Sequence, residues 1–273
     1  MASAAFTSCD KQDEVTPPQP EIASIHFMDV KSLDVVTRAE ATDYAADFKV
    51  FITNNITTAA KLVKYTAPNS WAFENDETVL VDRTGGELVA WAPTALAVTT
   101  AGGVQYTLKA QKDAADQDLI YEHQPVTAAT AGAVAVEMRH AYSKLSFKVV
   151  KGEGYNGAAV LTQVEITKGI YATGTLDMGT GTMTPAGDVT GTLTLAASDK
   201  ALVVPMTGKP TISVTCTIDG ATFTKDIAAD TMPSLLAGTE YEITLTLVGQ
   251  SAVISSVKQV PWTTTAVDGG TIS

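Results

Sequence analysis

Residues 241–248 read YEITLTLV. Side chains in an extended chain alternate with period 2, so Tyr241, Ile243, Leu245 and Leu247 share one side. Glu242, Thr244 and Thr246 share the other. The pattern predicts an antiparallel strand with one face on a core and one face wet. Working outward, the same texture returns in DFKVFIT (47–53), with Phe48, Val50 and Ile52 inward, and in SKLSFKVV (143–150), with Leu145, Phe147 and Val149 inward. It returns again in TISVTCTIDG (211–220), where Ile212, Val214, Cys216 and Ile218 alternate with Ser213, Thr215 and Thr217. TGTLTLAA (190–197), ALVVPM (201–206) and SAVISSVKQVPW (251–262) continue the series. Turn-forming residues punctuate it at KGEGYNG (151–157), GTGTMTPAGD (179–188), IDG (218–220) and LAGTE (236–240). Helical signal is confined to a turn or two in KDAADQDLIY (112–121), while TTAAKLVKY (57–65) fits helix and strand equally. Short strands recurring at roughly 8–12 residues predict an all-β chain of two tandem β-sandwiches with very little helix. The division is placed near MRHAYSKLSF (138–147), giving sandwiches over 39–140 and 141–273.

Bulk composition narrows the function. The chain has 273 residues and a formal net charge of −12. Its 18 Lys and Arg are scattered, which excludes the clustered positive field that a nucleic-acid partner needs. No run of ~20 apolar residues exists to span a membrane as a helix. Two cysteines provide neither a disulfide framework nor a zinc spacing. Cys216, inside an alternating strand, reads as a small core residue.

Cys9 reads differently. It stands in AAFTSCDKQDE (4–14), where Ser8 and Thr7 give the small residues that precede an acylated cysteine in a bacterial lipoprotein. Phe6 stands where Leu is more usual. DKQDEVTPPQPE follows, a polar, Pro-rich tether unable to fold alone, so residues 1–20 are expected to be a signal remnant and tether. A basic n-region and a full apolar h-region are missing before Cys9, which predicts a longer precursor. The alternative is a coincidental N-terminal cysteine.

Residues 21–38, EIASIHFMDVKSLDVVTR, are apolar on both alternating faces. Ile22, Met28 and Val30 fall on one, and Ala23, Ile25 and Phe27 on the other. A strand of this kind is expected to be inserted between others and buried on both sides. Arg38 and Ala39 then open a small, polar stretch suited to cleavage by an Arg-specific protease. Removing the strand would leave an apolar groove with unpaired backbone groups, which another chain could fill with a strand of its own. Donor and acceptor differ in such a contact, so it propagates head to tail into filaments. The simpler reading is an ordinary first strand followed by a surface arginine.

Nothing in the sequence assembles chemistry, so no enzyme, metal or cofactor is expected. His26, His123 and His140 lie in no metal-ligand spacing, and no nucleophile elbow, P-loop or dinucleotide fingerprint is present. His140 is read as a hydrogen-bonded histidine at the junction of the two halves. Asp113, Asp116 and Asp118 lack the glycine and terminal glutamate of an EF-hand loop and are expected to form a solvated turn. Trp71, Trp91 and Trp262 are read as core or interdomain contacts.

Taken in order, FTSCDK (6–11), VVTRAE (35–40), LVAWAPTA (88–95), DLIYE (118–122), RHAYSKLSFKV (139–149) and the ending LLAGTEYEITLTL…VKQVPWTTT resemble the fimbrillin-like (FimA/Mfa-type) proteins of Bacteroidales, the subunits of type V pili. The resemblance implies two transthyretin-like β-sandwiches, exported as a lipoprotein to the outer membrane and cell surface. It implies acylation at Cys9, cutting between Arg38 and Ala39 by an Arg-specific protease, and loss of the strand over 21–38. Subunits would then join other pilin subunits, as homo- or hetero-polymers, in a fimbria supporting adhesion or biofilm. On this basis Ile22, Ile25, Phe27, Met28 and Val30 mark the groove, and Val253, Ile254, Val257 and Val260 mark a donor strand within 251–273. Two alternatives stand beside it: a surface-lipoprotein binding module for glycan or host protein, and a tip or anchor subunit that does not polymerise.

Overall fold

The computed structural model describes residues 21–33, 42–54 and 56–262. Cys9, Arg38 and Ala39 lie outside the described residues. The first half of the chain supplies β1 (Ile22–Ser24), β2 (Phe27–Leu33), β3 (Thr42–Asp43), β4 (Phe48–Ile52), β5 (Lys61–Thr66) and β6 (Ser70–Phe73). It continues with β7 (Leu80–Asp82), β8 (Gly86–Ala92), β9 (Gln105–Lys109), β10 (Gln111–Lys112), β11 (Ile120–Val126) and β12 (Val134–His140). The second half supplies β13 (Ser143–Lys151), β14 (Leu161–Ile170), β15 (Thr173–Asp177), β16 (Thr182–Ala186) and β17 (Gly191–Ala196). It ends with β18 (Ala201–Val203), β19 (Ile212–Ile218), β20 (Ala221–Ile227), β21 (Glu240–Val248) and β22 (Ser251–Val260). Helix among the described residues is limited to 3₁₀ turns at Glu74–Asp76 and Ala131–Ala133. The all-β expectation therefore holds. TTAAKLVKY resolves to strand β5, and KDAADQDLIY forms a turn closed by the Asp118 amide on the Ala114 carbonyl at 3.2 Å.

Before residue 141 the main layer is an eight-stranded sheet in the order β3-β2-β12-β11-β8-β4-β5-β6. One of its faces carries Phe48, Val50, Ile52, Leu88, Ala90, Val136 and Met138, which pack with Val79 and with Val81 of the small β1-β7 ribbon. Beyond residue 141, the sheets β10-β18-β13-β21-β22 and β17-β14-β19-β20 enclose a second core. There Leu145, Ile243 and Leu245 face Val164, Ile166, Val214 and Cys216. Tyr241, Ile243, Leu245 and Leu247 are all fully buried, as the alternation in 241–248 requires.

A third core ties the halves together. Alternation in β4 and β8 turns Phe51, Val89 and Trp91 to the far face of the eight-stranded sheet. There they meet Leu108, Tyr142, Leu176, Leu202 and Trp262. Strands also cross the midpoint: β9 pairs with β15, and β10 pairs with β18. The Tyr142 phenol accepts the Lys109 amide at 3.3 Å and the Gln111 side-chain amide at 3.2 Å. Strand β8, in the stretch LVAWA (88–92), is thus buried on both faces, which the described residues 21–33 are not.

In 21–38 the structure departs from expectation. Its described part, 21–33, is two strands, and of its large apolar side chains Ile25 is 1% exposed and Val30 0%, whereas Ile22 is 57% and Met28 65% exposed. The register explains the misleading pattern. Phe27 opposes Val134, but Asp29 opposes the very next residue, Ala135, so Met28 is the extra residue of a β-bulge. A bulge shifts the inward phase by one, and a single buried face, read through it, looks like two.

Candidate assembly site

The N-terminal segment staples two layers. Strand β1 runs antiparallel to β7, with Ile22 opposite Asp82 and Ser24 opposite Leu80. The chain then crosses over: the Ile25 amide donates to the Val79 carbonyl at 3.0 Å, and the His26 amide to Ala131 at 2.8 Å. The Val134 amide returns a bond to His26 at 2.8 Å, and β2 continues parallel to β12. The Phe27 ring packs edge-on against Phe48, with centroids 5.2 Å apart, and lies 5.7 Å from Phe73. Burying Ile25 and Val30 contributes about 3–6 kcal/mol as an upper estimate. Without β1 and β2, β7 and β12 would each lose a hydrogen-bonding neighbour, and an apolar trough would face water.

Toward the other end of the chain, β22 is, among the described residues, an edge strand paired with β21 alone, from Glu240 opposite Val260 to Val248 opposite Ser251. Ile254 opposes Leu245 and Ser256 opposes Thr244, so Ser255 is a bulged residue. Its hydroxyl donates to the Thr244 carbonyl at 3.2 Å and accepts from Thr246 Oγ1 at 2.8 Å. Val253 faces solvent, Ile254 and Val257 pack against the second core, and Val260 is half-buried.

Between the halves lies a buried polar cluster that the sequence did not foreshadow. Asp113 and Asp118 are both buried and only Asp116 is exposed, which corrects the expected solvated turn. Lys144, fully buried, sets its ammonium 2.9 Å from Asp113 and 4.1 Å from the centroid of the Trp262 ring. The Trp262 indole N–H donates to Asp118 Oδ2 at 3.2 Å, and its ring stacks on His140 with centroids 4.1 Å apart. His140 Nδ1 is 3.0 Å from the same Oδ2 but off the line of a hydrogen bond. His140 is therefore held by stacking on Trp262 rather than by the hydrogen bond expected of it. Trp71, Trp91 and Trp262 are core residues, the last two in the shared core. Lys144 carried no local signal: its counter-ion is 31 positions away, and alternation around Leu145 assigned it to a wet face.

Other titrations fit a structural rather than a reactive site. Burial pushes the Cys216 thiol up to about 11, leaving it protonated and inert at neutral pH. Burial, and then the Asp47 charge, push the Tyr44 phenol up to about 12. Burial raises the Glu122 carboxyl. Among the described residues no three His, Cys, Asp or Glu side chains are placed to hold a metal.

Comparison with known proteins follows from this geometry. A candidate cell adhesion protein of Bacteroides uniformis is 22% identical over 89% of this chain and 100% of its own, with a TM-score of 0.66. Another, of Bacteroides ovatus, is 13% identical over 91% and 100%, with a TM-score of 0.61. A candidate adhesin of Bacteroides thetaiotaomicron is 13% identical over 89% and 97%, with a TM-score of 0.52. At such identities the likeness establishes the fold alone. No curated protein matches the sequence. The fimbrillin-like family model matches residues 37–262, well over half of the chain, and the chain belongs to the fimbrillin-like family.

Proposed function

We propose that the protein is a structural subunit of a cell-surface fimbria, delivered as a lipoprotein through Cys9 and polymerised by strand exchange. An Arg-specific protease cuts between Arg38 and Ala39, residues 21–38 leave, and a strand from another pilin subunit enters the trough they vacate. Family membership supports the fimbrial role and the surface location. The observation that carries the mechanism is the docking of β1 and β2. Ile25 and Val30 are buried in a core otherwise built by later strands, and the segment enters from one end of the chain. Its backbone bonds to β7 and β12 are the ones an incoming strand would remake. The edge strand β22, with Val253, Ile254, Val257 and Val260, is the candidate donor. In this reading the chain divides into sandwiches over 39–140 and 141–273, joined by the shared core.

Limited digestion with an Arg-specific protease, followed by denaturing electrophoresis, tests the reading. Cleavage at Arg38 yields a ladder of SDS-resistant oligomers, and Arg38→Ala abolishes the ladder while leaving the melting temperature unchanged. A cut chain that stays monomeric, or an Arg38→Ala chain that still polymerises, would refute strand removal as the trigger.

A further inference from the structure

Beside the free edge of β9 lies a cavity of about 460 Å³, within the roughly 300–1,000 Å³ of small-molecule sites. The first half of the chain supplies most of its wall, and Thr175 of β15 closes it from the second half. The polar lining is built from amides and hydroxyls: Gln105, Gln111 and Gln117 with Thr99, Thr107 and Thr175. Each of these groups both donates and accepts. The lining holds no carboxylate, and its one charged side chain is Lys109, which enters no ion pair among the described residues. The backbone adds to the site. The Gln105 and Lys109 amides donate away from β15, to the Thr99 carbonyl at 2.8 Å and to the Tyr142 phenol at 3.3 Å. Outward direction repeats at every second residue of an antiparallel strand, so the Thr107 N–H and C=O leave by the same edge. Among the described residues β9 pairs with β15 alone, apart from the bridge between Thr99 and Gln105, and no strand covers Thr107 there. The half-buried Tyr106 adds an aromatic ring.

An apolar ligand would strand these donors and acceptors out of water without partners, which is costly. A ligand that answers them carries several groups that donate and accept at once, together with an anion for Lys109. Those are the features of a polyhydroxylated ring bearing a carboxylate, and the C–H face of such a ring packs on an aromatic side chain. From this chemistry we propose that the cavity binds an acidic saccharide unit of the uronic acid class. Its hydroxyls bond the glutamine amides, the threonine hydroxyls and the Thr107 backbone, and Lys109 pairs with its carboxylate. No lining residue belongs to 21–38, so the site does not depend on the strand-exchange reading.

Isothermal titration calorimetry on the full chain, with glucuronate, glucose and acetate at equal ionic strength as probes, tests the site. Glucuronate binds saturably at one per chain, glucose binds more weakly, and acetate, a carboxylate without the hydroxylated ring, does not bind. Lys109→Met weakens glucuronate by about tenfold and leaves glucose unchanged, while Gln105→Ala weakens both sugars. Lys112→Met, which removes an exposed lysine outside the lining, changes neither. Absence of saturable glucuronate binding, equal binding of acetate, or a Lys109→Met chain that still prefers glucuronate to glucose would overturn the proposal. The three-probe comparison on the unaltered protein decides even where a variant fails to fold. A hyaluronan tetrasaccharide, which carries glucuronate within a chain, separates the sources of the ligand. Tighter binding than glucuronate assigns the site to a glycan, and equal or weaker binding assigns it to the free acid sugar.

Discussion

Asp219 is held at φ 51° ahead of Gly220 at φ 79°, the two left-handed positions of a tight Asp-Gly hairpin turn between β19 and β20. From that turn its carboxylate accepts the Tyr155 phenol at 2.6 Å and the Ala159 and Val160 amides at 2.8 and 2.9 Å. The Tyr155 hydroxyl first, and then those amides, hold its pKa below the ordinary 3.8. A carboxylate depressed on folding stabilises above its unfolded value, and the contribution is lost as pH falls through the folded value. Below about pH 4, therefore, the loop ahead of β14 loosens. Hydrogen exchange at the Ala159 and Val160 amides, corrected for intrinsic rates, is expected to accelerate there relative to pH 7. Asp219→Asn, which tolerates the left-handed backbone, removes that acid dependence. The turn itself was legible as IDG, because the Asp-Gly signal is local; the carboxylate's partners, some 60 positions away, were not.

Strand β2 shows where reading by element succeeds and where it stops. Its apolar content correctly marked a buried segment, yet the bulge at Met28 turned one face into an apparent two. A bulge is set by the partner strand's register, which a single strand's composition does not encode. The consequence is measurable within one short stretch. Ile25→Ala is expected to cost about 2–5 kcal/mol by urea unfolding. Ile22→Ala, at an exposed position, should stay within about 0.5 kcal/mol, and so should Met28→Ala. Equal losses at Ile22 and Ile25 would contradict the placement of β1 and β2. Clean alternation, by contrast, was a faithful guide in β21 and β19, where the ladder irregularities place the extra residues on the partner strands β22 and β14.

At the scale of the whole molecule, the halves interlock rather than merely adjoin. Strands β9 and β10 belong to the first half by sequence but pair with β15 and β18, and the Phe51, Val89 and Trp91 face is covered by residues of the second half. A fragment ending at His140 would expose that face and leave β9 without its ladder. It is expected to aggregate or lack cooperative unfolding when expressed alone, as judged by size-exclusion chromatography and circular dichroism melts. A soluble, cooperatively melting fragment over 21–140 would show that the shared core is dispensable.

The sequence by itself determined the all-β class, the inward phase of the regular strands and the turn positions, since each depends on side-chain period and on residues adjacent along the chain. The ordered motifs around Trp91, His140 and Trp262 also carried the family likeness, now supported by the match over residues 37–262. Tertiary structure alone decided that Met28 is bulged outward, that β9 and β10 cross to the other half, and that Lys144, Asp113, Asp118, His140 and Trp262 share one buried cluster. Each of these depends on partners tens to more than a hundred positions apart. The energy of a buried charge or a paired edge belongs to both partners together, so neither stretch of sequence displays it alone.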